Sequence, residues 1–202
     1  YLCITYDSDL LAFENMLGYV RRFIEFTNNH DNLVIEIRSK FGNSKILEKF
    51  EPSDRVIFAW TFSPDSISSL AEKKASPLNA RITALKRAQE LGYKTRVCID
   101  PIIYSYDWEN EYMNMIDSIF SKVDKDKILD ASIGVFRISA EYLKLLRKRK
   151  PNSPTVSYPF VIENNVAHYG EVTKLMVNTV RSKLEEYIDS DNIFVWDGST
   201  EN

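Results

Sequence analysis

Stretches of strand length alternate with amphipathic helical patterns along most of this chain, and this alternation limits its fold more than any other feature. Apolar, β-branched runs recur before residue 140, separated by segments whose apolar residues repeat every three to four positions. The predicted strands span 2–6, 33–37, 56–62, 95–99 and 131–138. Repeated β/α units with short connections predict a parallel sheet buried on both faces. A partial β/α barrel and an open doubly wound sheet both fit this pattern.

Helical patterns fill the segments between the predicted strands. The predicted helices span 9–28, 44–50, 77–91, 106–122 and 140–149. Pro77 suits the first turn of its helix, and Gly92 suits the position just after the end of that helix. No Gly-x-Gly-x-x-Gly follows any strand, which disfavours a Rossmann nucleotide site.

The pattern changes after Pro151. Two runs, 155–162 and 166–169, flank Glu163-Asn164-Asn165, and Asn-Asn tolerates the positive φ angles of a tight hairpin turn. A helix over 172–188 and a strand over 192–196 follow. We therefore predict one domain over 1–202, with a barrel portion (1–150) and a C-terminal hairpin–helix–strand extension (151–202).

The composition excludes several functional classes. The 202 residues are 44% hydrophobic, which is enough for a sizeable core, and 27% charged with a net charge of −3. That charge argues against nucleic-acid binding over the whole surface but leaves room for a local basic patch. The two cysteines, Cys3 and Cys98, indicate a reducing compartment, and no apolar run approaches the ~20 residues of a membrane span. We expect a cytoplasmic protein without a membrane partner.

The sequence begins abruptly. It has no initiator Met, and its first residues already form a strand-like run. We expect further residues to precede Tyr1 in the natural protein, so that the barrel is truncated at its N-terminal end.

Polar residues follow the predicted strands at regular intervals. The segments are Ser8-Asp9, Arg38-Ser39-Lys40, Trp60-Thr61-Phe62-Ser63 and Asp100-Pro101. The carboxyl ends of barrel strands are where such folds place their chemistry. Taken alone, however, Lys40 is more simply explained as a solvated loop lysine.

The order and spacing of these residues resemble the spore photoproduct lyases of the radical S-adenosylmethionine (SAM) superfamily. The matching positions are Ser8-Asp9, Lys40, Ala75-Ser76-Pro77-Leu78, Arg81, Gly92-Tyr93 and Pro101-Ile102. No single piece is diagnostic, and their joint order carries the resemblance. The family's C-x3-C-x2-C motif, which binds an iron–sulfur cluster, is not in this sequence.

The resemblance implies a partial (β/α) barrel of the radical SAM type and a SAM site at the strand ends. It places SAM contacts at Ser8, Lys40, Thr61 and Asp100, and SAM's carboxylate, ammonium and ribose hydroxyls suit such a donor set. The implied cofactors of the full-length protein are SAM and a [4Fe-4S] cluster, whose ligands are not in this chain. The implied activity is repair of a thymine-dimer type of DNA photolesion through a 5′-deoxyadenosyl radical. We expect the fragment alone to be inactive, because it has too few cysteines to bind the cluster.

Two departures from the family concern the substrate. The lyases have a hydrogen-donating cysteine where this sequence has Tyr6, which becomes the catalytic candidate. Alternation puts Cys3 on the strand face opposite Tyr6, and Cys98 is either an inward-pointing thiol or a small core residue. The family's Arg-Tyr-Gly becomes His168-Tyr169-Gly170. The substrate-binding candidates are His168, Tyr169 and Arg137, although His168 could equally be a surface hairpin residue.

A basic run suggests DNA as a partner, through the run itself and the hairpin. Its members are Lys144, Arg147, Lys148, Arg149 and Lys150. Such a run can meet a phosphate backbone, or it can simply favour the carbonyl end of its helix. Several aromatic residues near the strand ends and the hairpin, including Tyr104, Tyr158 and Phe160, could stack on bases or could be packed.

Other chemistries find less support in the sequence. His30 and His168 are the only histidines and are far apart, so no metal site is predicted. Acid–base catalysis by Glu36 and Asp100 at neighbouring strand ends is the best enzyme alternative outside the family. The remaining alternatives are a non-catalytic nucleic-acid- or protein-binding barrel and a radical SAM enzyme with another substrate.

Overall fold

A curled sheet of six parallel strands forms the centre of the molecule. The computed structural model describes residues 1–5, 8–151 and 153–196. The strands lie side by side in the order β1 (Leu2–Cys3), β2 (Ile35–Ser39), β3 (Val56–Thr61), β4 (Lys94–Ile102), β5 (Ile128–Val135) and β9 (Ile193–Trp196). This spatial order equals the chain order. Right-handed crossovers between strands in this order put the helices that pack on the sheet on one face, whereas a doubly wound sheet reverses its strand order at a switch point. The fold is therefore a half-barrel, and the doubly wound alternative is wrong.

Helices cover the outer face of the sheet. The helices are α1 (Leu10–Leu17), α2 (Tyr19–Asn28), α3 (Asp65–Ala71), α4 (Leu78–Glu90), α5 (Trp108–Phe120), α6 (Ala140–Arg149), α7 (Pro154–Ser157) and α8 (Glu171–Leu184), with 3-10 turns at Ser44–Lys49, Lys125–Lys127 and Ser190–Asn192. Of these, α6 and α7 pack against each other and against a separate three-stranded sheet. The helix-facing residues of β2 and β3, among them Ile37, Phe58 and Trp60, are completely buried. The ring of Tyr93, which follows α4, packs edge-on against the ring of Phe58, with 4.9 Å between the ring centroids. The main core thus lies between the sheet and its helices.

The predicted helix over 9–28 is two helices that meet at Gly18. Gly18 has a φ of 64°, and its N–H donates to the carbonyl of Glu14. The Glu14 carboxylate then accepts from the N–H of Val20 at 2.8 Å and so caps α2. Apolar spacing alone did not show this break, because both helices present apolar residues at the same period.

Two further segments differ from the sequence prediction. The strand predicted over 155–162 is wrong in its first half, where α7 forms and β7 (Val161–Glu163) begins only afterwards. Ser153 followed by Pro154 is a helix-start signal that outweighs the β-branched run. Helix α3, which begins after Pro64, had no counterpart in the prediction.

The C-terminal hairpin belongs to a second, three-stranded antiparallel sheet. Its strands lie side by side in the order β6 (Ile138–Ser139), β8 (Val166–His168) and β7. Asn164 and Asn165 have φ angles of 48° and 64°, as the hairpin prediction requires. Strand β9 returns from the 151–202 extension to pair with β5, so that extension completes the main sheet. The division of the domain at residue 150 stays a prediction.

Candidate functional site

A cleft of about 350 Å³ opens at the carboxyl ends of β1 to β4. Its lining residues are Cys3, Thr5, Ser8, Asp9, Arg38, Ser39, Lys40, Thr61, Asp100 and Pro101. All four predicted SAM-binding positions are in this set. They converge because parallel strands end at the same edge of the sheet, although their role as cofactor contacts stays a prediction.

Asp9 joins the loop after β1 to the turn after β2. Its carboxylate accepts from the hydroxyl of Ser39 at 2.8 Å and from the backbone N–H of Lys40 at 2.8 Å. It also caps α1 by accepting from the N–H of Ala12. One carboxylate therefore fixes the backbone beside both Ser8 and Lys40, a role that sequence reasoning missed.

Asp100 occupies a space that a glycine leaves open. A Cβ on Gly134 of β5 would lie 2.5 Å from Asp100 Oδ1, so any larger residue there would displace the carboxylate. The other Asp100 oxygen lies 3.7 Å from Arg38 Nη1. The cleft thus holds a cation and an anion side by side. Arg38 was not singled out as a site residue, although its position after the inward-facing Glu36 was a usable signal.

Below the cleft, the inner face of the sheet carries a buried charge network. Glu36, only 1% exposed, is ion-paired with Arg38 at 2.8 Å and with Arg96, and it accepts from the Tyr1 hydroxyl. Arg96 also binds Asp130, with Nη2 2.7 Å from Oδ2. Burial raises the pKa of Glu36, but the Tyr1 hydrogen bond and the two guanidinium charges outweigh burial and hold it below its usual range. Glu36 is engaged by these groups, which disfavours it as a general base paired with Asp100.

The two cysteines occupy different environments. Cys98 is completely buried between Thr61 and Ser132, and burial raises the pKa of its thiol to about 12. Its register beside Thr61, with Arg96 two residues earlier on the same face, puts it on the inner face of the sheet, where it is a buried thiol near Arg38. Cys3 is half-buried and lines the cleft, with Sγ 3.9 Å from Glu36 Oε1. The catalytic candidate Tyr6 lies outside the described residues.

The predicted substrate-binding residues lie around the hairpin, away from the cleft lining. Tyr169 is 3% exposed, and its hydroxyl accepts from the N–H of Tyr104 at 3.2 Å. It packs within an aromatic cluster whose other members are Tyr104, Phe136, Tyr158 and Phe160. His168 is half-buried, with Nδ1 accepting from the N–H of Gly170 and Nε2 3.4 Å from Glu163. Arg137 is exposed between β5 and β6. Their roles toward a substrate stay predictions.

The basic run lies at the carboxyl end of α6, and its members are held differently. Arg147 donates to the carbonyls of Val156 and Tyr158, both at 2.8 Å, and its guanidinium lies over the Phe160 ring. Arg147 therefore ties α6 to the hairpin region. All five basic residues are exposed, and Arg147 differs from the others in these bonds to backbone carbonyls.

The residues of this chain do not fit an iron–sulfur cluster. No group of three His, Cys, Asp or Glu side chains in the described part of the chain is placed to hold a metal ion. The two cysteines of the sequence are also fewer than the three of the family motif.

Within the described residues, no helix is both long and apolar enough to cross a membrane.

Six parallel strands in chain order, curled around a strand-end cleft, define a partial barrel of the radical SAM type. The model of the family described as spore photoproduct lyase matches residues 3–190, and the chain belongs to this family. Among curated proteins, none matches this sequence.

Solved structures of spore photoproduct lyase share the fold. A double variant with bound AdoMet and dinucleoside spore photoproduct aligns with a TM-score of 0.81 at 16% identity. A single variant gives 0.82, and a complex with the dinucleoside spore photoproduct gives 0.78, also at 16% identity. Each comparison covers 96% of this chain and 59% of the solved chain, so this chain spans about three fifths of those proteins. At this identity the likeness establishes the fold alone.

Proposed function

We propose that the protein binds SAM in the strand-end cleft and uses it for radical-based repair of a DNA photolesion. The observation that carries this proposal is the convergence of Ser8, Lys40, Thr61 and Asp100 on one cavity, in a chain of the spore photoproduct lyase family. Solved relatives hold AdoMet and a dinucleoside spore photoproduct, which supports both the cofactor and the substrate class.

The donor set of the cleft suits SAM. The Lys40 ammonium and the Arg38 guanidinium are cations for a carboxylate, and the Asp100 carboxylate is an acceptor for an ammonium or a ribose hydroxyl. The hydroxyls of Ser8 and Thr61 add neutral donors and acceptors. SAM, when bound, would supply the hydrogen-abstracting radical chemistry of this superfamily. The residues of this chain would bind and orient it.

The substrate is proposed to approach from the hairpin side. The aromatic cluster follows β4 and β5 at the same edge of the sheet as the cleft, and Tyr158 and Phe160 are half-buried rather than sealed. A half-exposed ring can stack on a base at about 1–3 kcal/mol per base. His168 and Arg137 are proposed to contact the lesion-bearing strand, and Lys144, Lys148, Arg149 and Lys150 its phosphates.

The test measures SAM binding and lesion conversion separately. Isothermal titration of the full-length protein with SAM should show Lys40→Met weakening affinity about tenfold or more, because a charge-assisted contact is lost. The control is Lys122→Met, since Lys122 follows α5 at the opposite edge of the sheet and binds Asn79. Anaerobic incubation with SAM, a reductant and an oligonucleotide carrying a thymine photolesion should restore thymine, as followed by chromatography.

The outcomes separate the alternatives. A protein that binds DNA but does not bind SAM would support the alternative of a non-catalytic nucleic-acid-binding barrel. A protein that binds and cleaves SAM while leaving the photolesion intact is a radical SAM enzyme with another substrate, an outcome that the departures at Tyr6 and His168 make worth testing.

A further inference from the structure

An ion pair between Glu72 and Arg81 lies outside the cleft and connects two cleft residues, Lys40 and Thr61. Glu72, just after α3, forms an ion pair with the Lys40 ammonium through one carboxylate oxygen. Its other oxygen lies 2.9 Å from Nη2 of Arg81, a side chain on α4 that is fully buried. Neither Glu72 nor Arg81 lines the cleft, and the site described above assigns neither of them a role.

Arg81 is fixed on every side by polar partners. Its Nε donates to the carbonyl of Ser76 at 2.7 Å, Nη1 to the carbonyl of Thr61 at 2.9 Å, and Nη2 to the hydroxyl of Ser68 at 2.8 Å. The Thr61 carbonyl belongs to the residue whose side chain lines the cleft. Arg81 thereby anchors the end of β3 and the Glu72 carboxylate at the same time.

The segment between these two residues also holds the backbone after β2. The N–H of Ser76 donates to the carbonyl of Lys40 at 3.1 Å, and the Ser76 hydroxyl accepts from the N–H of Gly42 at 2.9 Å. Gly42 approaches so closely that a Cβ there would lie 2.6 Å from the Cβ of Ala80. Residues 72–81 therefore bond both the backbone carbonyl and the side chain of Lys40, while Asp9 holds its N–H.

Glu72 restrains the Lys40 side chain but leaves N–H donors of its ammonium available to a ligand. The ammonium has three N–H donors, the lysine lines the cleft with its side chain 34% exposed, and the Glu72 side chain is only 9% exposed. Burial raises the pKa of Glu72, but the charges and hydrogen bonds of Lys40 and Arg81 outweigh it and keep the pKa below its usual range. An unrestrained lysine would lose its rotamer freedom on meeting a ligand, whereas a held one has already lost it.

We propose that Glu72 is the positioning residue for Lys40 in the SAM site and that Arg81 is the anchor through which Glu72 acts. This inference rests on the proposed function, because it takes Lys40 to bind the carboxylate of SAM. It adds that the affinity of this contact depends on a carboxylate that never touches the ligand.

A double-mutant cycle in SAM affinity tests the proposal. Isothermal titration of the full-length protein would compare the wild type, Glu72→Gln, Lys40→Met and the double variant. We expect Glu72→Gln to weaken SAM binding about three- to tenfold, and Lys40→Met about tenfold or more. In the Lys40→Met background, Glu72→Gln should change affinity by less than about twofold, because the side chain through which it acts is gone.

A matched control separates positioning from general stability. Glu14 is a buried carboxylate of similar exposure that caps α2, so Glu14→Gln should lower the melting temperature while leaving SAM affinity unchanged. Equal losses from Glu72→Gln in both Lys40 backgrounds, or unchanged affinity in the single variant, would overturn the positioning role. If Lys40→Met itself binds SAM like the wild type, the proposed SAM site fails instead, and the two failures are distinguishable.

Discussion

The strand-end cleft and the hairpin region hold their candidate residues in opposite ways. In the cleft, Lys40 and Asp100 face a cavity and are restrained by charged side chains that leave some of their polar atoms open. In the hairpin region, Tyr169 and Arg147 bond backbone groups of neighbouring segments. A residue such as Tyr169 can therefore stand where the family has a substrate contact and still have its polar group bonded within the fold. The difference between the two regions is whether polar atoms remain available to a ligand.

The largest expected effect comes from comparing the arginine that supports each region. Arg81→Met should lower the free energy of unfolding by about 3–5 kcal/mol, because it removes one of the two positive charges paired with the buried Glu72 carboxylate and leaves the carbonyls of Ser76 and Thr61 without their guanidinium donor. Arg147→Met should cost only about 1–2 kcal/mol, because Arg147 is exposed and water can replace it. Urea unfolding measures both. Equal losses would show that the hairpin region is braced as firmly as the cleft.

Gly134→Ala should have an intermediate effect that is specific to the cleft. The added methyl group meets the Asp100 carboxylate, and such overpacking costs about 1–3 kcal/mol. Asp100→Ser in the same chain should recover most of this loss, since the obstructing oxygens are gone. Thermal or urea unfolding of the single and double variants checks the rescue. An unrescued Gly134→Ala would mean that another neighbour, rather than Asp100, limits the space.

Tyr169→Phe sharpens the comparison from the hairpin side. It removes the hydroxyl that accepts from the Tyr104 N–H, so we expect a loss of about 0.5–1.5 kcal/mol in stability. If Tyr169 serves the fold alone, affinity for a lesion-bearing oligonucleotide should be unchanged in a fluorescence titration. A clear drop in that affinity with little loss of stability would instead support the substrate contact predicted from the sequence.

The smallest effect on stability is expected from Lys148→Ala with Arg149→Ala at the end of α6. Both side chains are exposed, so the unfolding free energy should change by less than about 0.5 kcal/mol. If they meet phosphates, the slope of log affinity against log salt should fall by roughly two for duplex DNA. An unchanged slope would assign the basic run to the carbonyl end of its helix.

Much of the fold could be predicted because burial leaves a regular trace in the sequence. The strands at 33–37, 56–62 and 95–99 were found by their apolar runs, and the Asn164-Asn165 turn by its tolerance of positive φ. The break at Gly18 was missed because two helices of the same period look like one. The α7 turn was missed because the β-branched residues Thr155 and Val156 were given more weight than the helix-start signal Ser153-Pro154 directly before them.

The sequence by itself determined which polar residues follow which strands, and parallel strands necessarily bring such residues to one edge. It could not determine whether their polar atoms stay free, because that depends on neighbours that are remote in the chain. Glu72 meets Lys40 across 32 residues, and Tyr104 meets Tyr169 across 65. Hydrogen bonds and ion pairs act over a few ångströms, so only tertiary packing decided that Lys40 faces a cavity while Tyr169 supports the fold.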